Sequence, residues 1–120
     1  MRKQSLGMLG EKLACAYLKK KNYRILEKNY RCSCGEIDII ASKNNALRFI
    51  EVRTKSSDTY GSPEESITYA KRERLIASAL NYISNHEKPL ENWQIDFMAV
   101  EIDSTKGKAK RIELIENIVD

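Results

Sequence analysis

Gly35-Glu36-Ile37-Asp38-Ile39-Ile40-Ala41 and, after a short interval, Phe49-Ile50-Glu51-Val52-Arg53-Thr54-Lys55 are the stretches whose reading decides the fold. Each is rich in Ile, Val and Phe and reads as a β-strand. Asn44-Asn45 between them suits a turn, because asparagine tolerates turn backbone. Side chains alternate faces along a strand, so Glu36 and Asp38 share one face of the first. On the second, Glu51, Arg53 and Lys55 share one face and Ile50, Val52 and Thr54 the other. Paired as a hairpin, the strands would bring three carboxylates together with two basic side chains. Acids inside the most apolar strands of a chain are expensive to bury uncompensated. A divalent cation would compensate them.

Outward from this hairpin, residues 5–21 read as a helix whose core stripe is Leu6, Leu9, Leu13 and Tyr17. Gly7, Glu11, Ala14 and Leu18 form a second line along it. Glu11 is therefore either an acid at the edge of the stripe that reaches water or a member of the Asp38–Glu51 cluster. Lys19-Lys20-Lys21-Asn22 places cations where the helix dipole favours them and reads as a solvated helix end rather than a DNA contact. Tyr23 to Tyr30 is expected as a first strand, and Arg31 to Ser33 as the turn into the hairpin.

Beyond Lys55, the residues Ser56, Ser57, Asp58, Gly61 and Pro63 make a polar loop at the mouth of the presumed site. Ser62-Pro63-Glu64-Glu65 is a helix-start pattern, with Thr68 as an alternative start. The helix body extends to about Ser84, with Leu75, Ile76, Ala79, Tyr82 and Ile83 inward. Lys71, Arg72 and Arg74 crowd its first half. Lys71 sits on the margin of the apolar face, where it either snorkels to water or reaches a phosphate. His86 to Asn92 is expected as a loop and its histidine as a bystander. Trp93 to Ile102 reads as a strand carrying a fourth acid, Asp96; Ser104 to Lys108 reads as a turn, and Arg111 to Ile118 as an edge strand. The order helix, three strands, helix, two strands predicts an α/β fold with a mixed central sheet and helices packed on it. The first three strands would form an antiparallel meander and the long helix would return the chain to the sheet for the fourth.

A chain of 120 residues is expected to form one domain, with 42% hydrophobic and 32% charged residues as in soluble globular proteins. No run approaches the roughly 18 apolar residues of a membrane helix, and no apolar segment follows Met1-Arg2-Lys3 as in a secretory signal. A cytoplasmic location is the expectation. Cys15, Cys32 and Cys34 cannot all pair, which fits a reducing compartment. Cys32-Ser33-Cys34 would need two further ligands to hold zinc, and reduced thiols beside a turn are the simpler reading. The net charge of +4 is a modest electropositive bias compatible with a nucleic-acid partner.

Taken together, Gly10-Glu11, Tyr17-Leu18, Asn29-Tyr30-Arg31, Gly35-Glu36-Ile37-Asp38, Phe49-Ile50-Glu51-Val52, Tyr60-Gly61, Lys71 and Asp96 resemble the YraN family of small bacterial proteins. The resemblance extends from about Leu9 to Val100. It implies a restriction-endonuclease-like, PD-(D/E)xK fold related to Holliday-junction resolvases. Asp38 and Glu51 would then be the metal-ligating acids, with the Val52 carbonyl as a further ligand for Mg²⁺ or Mn²⁺, and Glu11 the first-helix acid of the resolvase-like branch. Where the family motif has its lysine, this chain has Arg53, which stays protonated and cannot serve as a base. Lys55, two residues on, can substitute, and Lys71 is a second candidate. Gln94 stands where the family more often has arginine. The implied partner is DNA, branched in the resolvase case. A homodimer would match the two-fold symmetry of a four-way junction, its interface drawn from Tyr23–Tyr30 or Ile112–Ile118.

Three readings follow. In the first, the chain is a metal-dependent, structure-selective DNA endonuclease whose catalytic set is Glu11, Asp38, Glu51, Arg53 and Lys55, with Lys71, Arg72 and Arg74 on the nucleic acid. In the second, the same fold binds nucleic acid with little or no cleavage. In the third, the acids are structural ion-pair partners of Arg53, Lys55 and Lys71.

Overall fold

The computed structural model describes residues 5–56, 61–86 and 92–119. Ser57 and Asp58 of the expected polar loop, Tyr60 of the family resemblance, and residues 87–91 of the expected second loop lie outside the described residues. Helix α1 (Leu6–Lys20) starts at Ser5, whose hydroxyl accepts from the Met8 amide at 3.1 Å. Strands β1 (Arg24–Cys32), β2 (Gly35–Lys43) and β3 (Ala46–Ser56) follow. A short 3-10 turn (Pro63–Ser66) leads to helix α2 (Tyr69–Ser84), and β4 (Asn92–Asp103) and β5 (Lys108–Ile115) complete the order.

The strands lie in sequence order, β1 to β5, in one five-stranded sheet. β1–β2, β2–β3 and β4–β5 are antiparallel, whereas β3 and β4 run parallel with α2 as the crossover. The fold is thus α/β with a mixed sheet and two helices, as the order of elements predicts. Lys43 pairs with Ala46 across Asn44-Asn45, both asparagines at positive φ, the conformation a two-residue hairpin demands. Both faces of the sheet are covered. On one, Ala14 and Leu18 of α1 pack against Ile39, Ala41, Ile50, Met98 and Val100. On the other, Leu75, Ala79 and Tyr82 of α2 pack against Ile37, Ile40, Phe49 and Ile95. This is why Ile95 to Val100 is buried without interruption rather than alternating.

Several expectations shift. The face of α1 that is buried is Gly10, Ala14, Cys15 and Leu18, while Leu9, Leu13 and Tyr17 are only half-buried and Leu6 is exposed. Small residues win this face because they let the helix backbone approach β3. A Cβ on Gly10 would stand 1.8 Å from Thr54 Oγ1. β1 continues to Cys32, so the turn is Ser33-Cys34 rather than Arg31 to Ser33. The Ser62-Pro63 pattern makes only the 3-10 turn, since Ile67 is extended, and α2 is capped by Thr68, whose Oγ1 accepts from the Lys71 amide at 3.2 Å. β5 ends at Ile115, earlier than the expected Ile118, and the segment after it turns back along β4 through the Ile118 amide and the Ile95 carbonyl, 2.8 Å apart. Of the stretches offered by the sequence for a two-fold interface, Tyr23, Ile25, Ile112 and Leu114 pack on the α1 side of the core and Tyr30 and Ile118 on the α2 side, while Leu26 is exposed. Among the described residues no helix is long and apolar enough to cross a membrane.

Candidate functional site

Backbone pairing of β2 with β3 begins at Ile39–Ile50. Asp38 and Glu51 are the next residues outward, where the two strands part. There the Val52 amide donates to Asp38 Oδ2 at 2.8 Å. β2 also changes face at this point, since Ile37 packs towards α2 and Ile39 towards α1, contrary to simple alternation. Asn29 falls opposite Asp38 on β1, between the Lys28–Ile39 and Tyr30–Ile37 pairs, and is at φ +55. Its Nδ2 donates to Glu11 Oε1 at 3.0 Å. One cleft is lined by Glu11, Asn29, Asp38, Glu51 and Arg53, drawn from α1 and three strands.

The Glu51 side chain is 14% exposed. Its pKa is pushed up to about 9, first by burial and then by the hydrogen bond and charge of Asp38. Arg53 Nη2, 3.7 Å from Glu51 Oε2, and the Lys71 ammonium oppose this shift without cancelling it. Burial and Asp38 also raise the Glu11 pKa, against the Asn29 hydrogen bond. The Lys71 ammonium is pushed below its ordinary value by burial and by Arg53, with Glu51 opposing. Burial and the neighbouring Asp38 thus favour the protonated form of Glu51 at neutral pH. The cluster is short of positive charge even with two cations beside it.

On the α2 side of this point, Arg31, Glu51, Arg53, Lys71 and Arg74 line a second cleft of about 470 Å³. Arg31 joins this lining because β1 continues through it to Cys32, whereas a turn at Arg31 would leave it outside the strand. Lys55 and Arg72 line neither cleft. Lys55 lies beside Glu101 in the β3–β4 register and Arg72 is exposed on α2. Glu36 also lines the first cleft, as the hairpin predicts, but it sits exposed at the rim, 3.5 Å from Arg31 Nε, while Asp38 and Glu51 lie deeper. Asp96 is elsewhere. It is fully buried beside Ile50, where Oδ1 accepts from Gln94 Nε2 at 2.7 Å and from the Asn117 amide at 2.9 Å. Arg48 Nη1 is 3.9 Å from Asp96 Oδ2. Asp96 fastens the C-terminal segment to β4 and takes no part in the cluster.

Among the described residues no three His, Cys, Asp or Glu side chains could by themselves hold a metal ion. Asp38 and Glu51 supply two carboxylates. Val52 can add a carbonyl, because a residue's N–H and C=O point to the same side of an extended strand and the Val52 N–H points at Asp38. Mg²⁺ is commonly held by one or two carboxylates, with waters and substrate phosphates completing its shell. The donor set fits such an ion. It does not fit zinc, and Cys15, Cys32 and Cys34 are free thiols.

The model of "Uncharacterised protein family UPF0102" matches residues 10–115. The chain belongs to UPF0102, the YraN family. It is 47% identical over 107 residues to a UPF0102 protein of Clostridium perfringens, covering 86% of each chain. It is 44% identical over 114 residues to a UPF0102 protein of Alkaliphilus metalliredigens, covering 95% of this chain and 96% of the relative. A UPF0102 protein of Moorella thermoacetica is 44% identical over 103 residues, 86% of each chain. The span of UPF0102 here begins at Gly10, which seats α1 on β3, and closes at Ile115, the last residue of β5. It contains Glu11, Asp38, Glu51 and Lys71.

Proposed function

We propose that this UPF0102 protein is a metal-dependent endonuclease that hydrolyses phosphodiester bonds in DNA, on a restriction-endonuclease-like fold, with branched DNA as its preferred substrate. The observation that carries this reading is the pairing of Asp38 with the 14%-exposed Glu51 where β2 and β3 part, with Arg53 and Lys71 beside them. Buried acids that no cation fully compensates are costly as structure. As a cation site next to a basic cleft they suit a polyanionic substrate.

Asp38, Glu51 and the Val52 carbonyl would hold Mg²⁺ or Mn²⁺. When bound, such an ion polarises the scissile phosphate and lowers the pKa of an attacking water. Asp38 fixes the Val52 peptide through its amide. Glu11, held by Asn29, is a proton acceptor within the same cleft, its basicity increased by burial and by Asp38. Arg53 cannot give up its proton, and its role is to stabilise the charge that develops on the phosphoryl oxygens. Lys71 supplies the lysine that the motif position lacks, and burial beside Arg53 makes it a readier proton donor than a free lysine. The presence of Arg53 at the motif lysine favours one second reading, a DNA-binding module with weak or no cleavage.

The test is cleavage of labelled four-way junction, flap and linear duplex DNA with Mg²⁺ or Mn²⁺, wild type beside Asp38→Ala and Glu51→Ala. Cutting by wild type alone supports the nuclease. Salt-sensitive binding by all three proteins without cutting replaces it with the binding module. Neither binding nor cutting removes both.

A further inference from the structure

The cleft containing Glu11 and Asn29 does not end there. The same two residues, with Met8, also line a groove of about 590 Å³ between α1 and β1, whose remaining walls include Lys12, Lys19 and Lys28. Lys12 and Lys19 are seven residues apart, so they share one side of α1 and stand about 10 Å apart along its axis. That is the axial rise of about three nucleotides of one duplex strand at 3.4 Å each. Lys28 faces them from β1. It reaches this side because it pairs with Ile39, which packs towards α1, just before Asn29 reverses the strand's alternation.

The neighbouring acids leave this positive charge standing. Glu27 is on the other side of β1, close enough to Tyr82 of α2 to raise its pKa. Glu11 at the groove's mouth is the only acid of α1. Among the described residues no carboxylate forms an ion pair with Lys12, Lys19 or Lys28. The lysine run at the end of α1 is thus divided in use: Lys19 lines the groove, whereas Lys21 lies over the Tyr17 ring.

We propose that the Lys12–Lys19–Lys28 groove is a second phosphate-binding track. It carries the nucleic-acid backbone along the α1 side of the sheet, while Arg31, Arg53, Lys71 and Arg74 hold it on the α2 side. This rests on the nuclease reading and adds to it a path. The two basic tracks lie on opposite sides of the sheet and meet at Asp38 and Glu51, so the backbone reaching the acids must pass from one side to the other. That geometry selects a substrate whose strands diverge at the scissile phosphate over a straight duplex.

The experiment compares wild type with two triple variants of equal charge change. One is Lys12→Gln, Lys19→Gln and Lys28→Gln; the other is Lys106→Gln, Lys108→Gln and Lys110→Gln, exposed lysines of the β4–β5 hairpin. All six side chains are exposed, and matching thermal melts establish that each variant folds. Binding of a labelled flap DNA is measured by anisotropy from 50 to 400 mM salt without divalent metal. Three lost phosphate contacts should lower the slope of log K against log salt by about 2.7 and weaken binding at 0.1 M salt on the order of several hundredfold. The hairpin variant should keep the wild-type slope. An unchanged slope in the groove variant, or an equal loss in the hairpin variant, overturns the track while leaving the nuclease reading intact. Wild type that binds no DNA at any salt overturns both.

Discussion

Glu51→Gln replaces a buried acid with an amide of the same shape, and without divalent cations it should stabilise the fold at neutral pH. The carboxyl moves from an ordinary value of 4.5 to about 9 on folding. The native state therefore keeps a proton that the unfolded chain gives up above about pH 4.5. Stability from this residue is complete below about pH 4.5, falls as pH rises, and levels off above about pH 9. At 1.36 kcal/mol for each pH step, retaining that proton at pH 7 costs wild type on the order of 3 kcal/mol, and under about 1 kcal/mol at pH 5. Glutamine escapes this cost. In a chain of this size the gap at pH 7 corresponds to a Tm higher by about 10 °C, shrinking towards pH 5.

Urea and thermal unfolding of both proteins from pH 5 to 9 in EDTA would measure it. Repeating the series with Mg²⁺ should narrow the gap, because an ion held by Asp38 and Glu51 stabilises wild type by about 2.7 kcal/mol at a hundred times its Kd and the variant by less. A variant less stable than wild type at pH 7, or parallel pH curves, would refute the reasoning. Glu51 would then be a structural partner of Arg53 and Lys71.

Other substitutions probe the frame around the site. Gly10→Ala should destabilise by about 3 kcal/mol, since its Cβ would stand 1.8 Å from Thr54 Oγ1 and must lift α1 off β3; an unchanged Tm would show that the helix does not sit this close. Asp96→Ala should cost about 3 kcal/mol by stripping a buried partner from Arg48, whereas Glu116→Ala, at a 57%-exposed side chain, should cost under about 1 kcal/mol; equal losses in urea titrations would contradict this ranking. Lys71→Ala should reduce DNA cleavage at least tenfold more than Lys55→Ala, and the reverse order of rates would return the role to Lys55.

The apolar runs made the sheet readable. Ile37 to Ala41, Phe49 to Val52 and Ile95 to Val100 are short apolar runs rich in β-branched and aromatic residues that read as strands, and the helical period between the second and third predicts the crossover. The seating of α1 was not readable, because large residues at Leu6 and Leu9 make the stronger periodic signal while Gly10 and Ala14 make the closer contact. Asp96 and Asp38 look alike in sequence, each an acid within an apolar strand. Only register separates them: Asp96 falls beside Ile50, among residues facing the core under α1, while Asp38 falls where pairing with β3 has stopped. Lys71 was visible as a cation on the edge of an apolar stripe, yet its proximity to Glu51 depends on where α2 begins. The Thr68 cap decides that start, not the stronger-looking Ser62-Pro63 pattern. Asn29 carried one signal, an asparagine inside a strand, since asparagine is among the few residues that adopt left-handed backbone readily.

The Val52 amide bound to Asp38 also gives the molecule a built-in probe. Neighbouring strand amides in the paired part of β2 and β3 bond to carbonyls, whose acceptor strength is constant across ordinary conditions. This one bonds to a carboxylate, whose electron density changes whenever a proton or a cation joins it. In a nitrogen–proton correlation spectrum the Val52 resonance should therefore travel with pH and with added Mg²⁺ while that of Ile50, one turn of the pleat away, stays in place. One backbone signal then reports the charge state of the acid pair in the intact wild-type chain, with no substitution and no substrate.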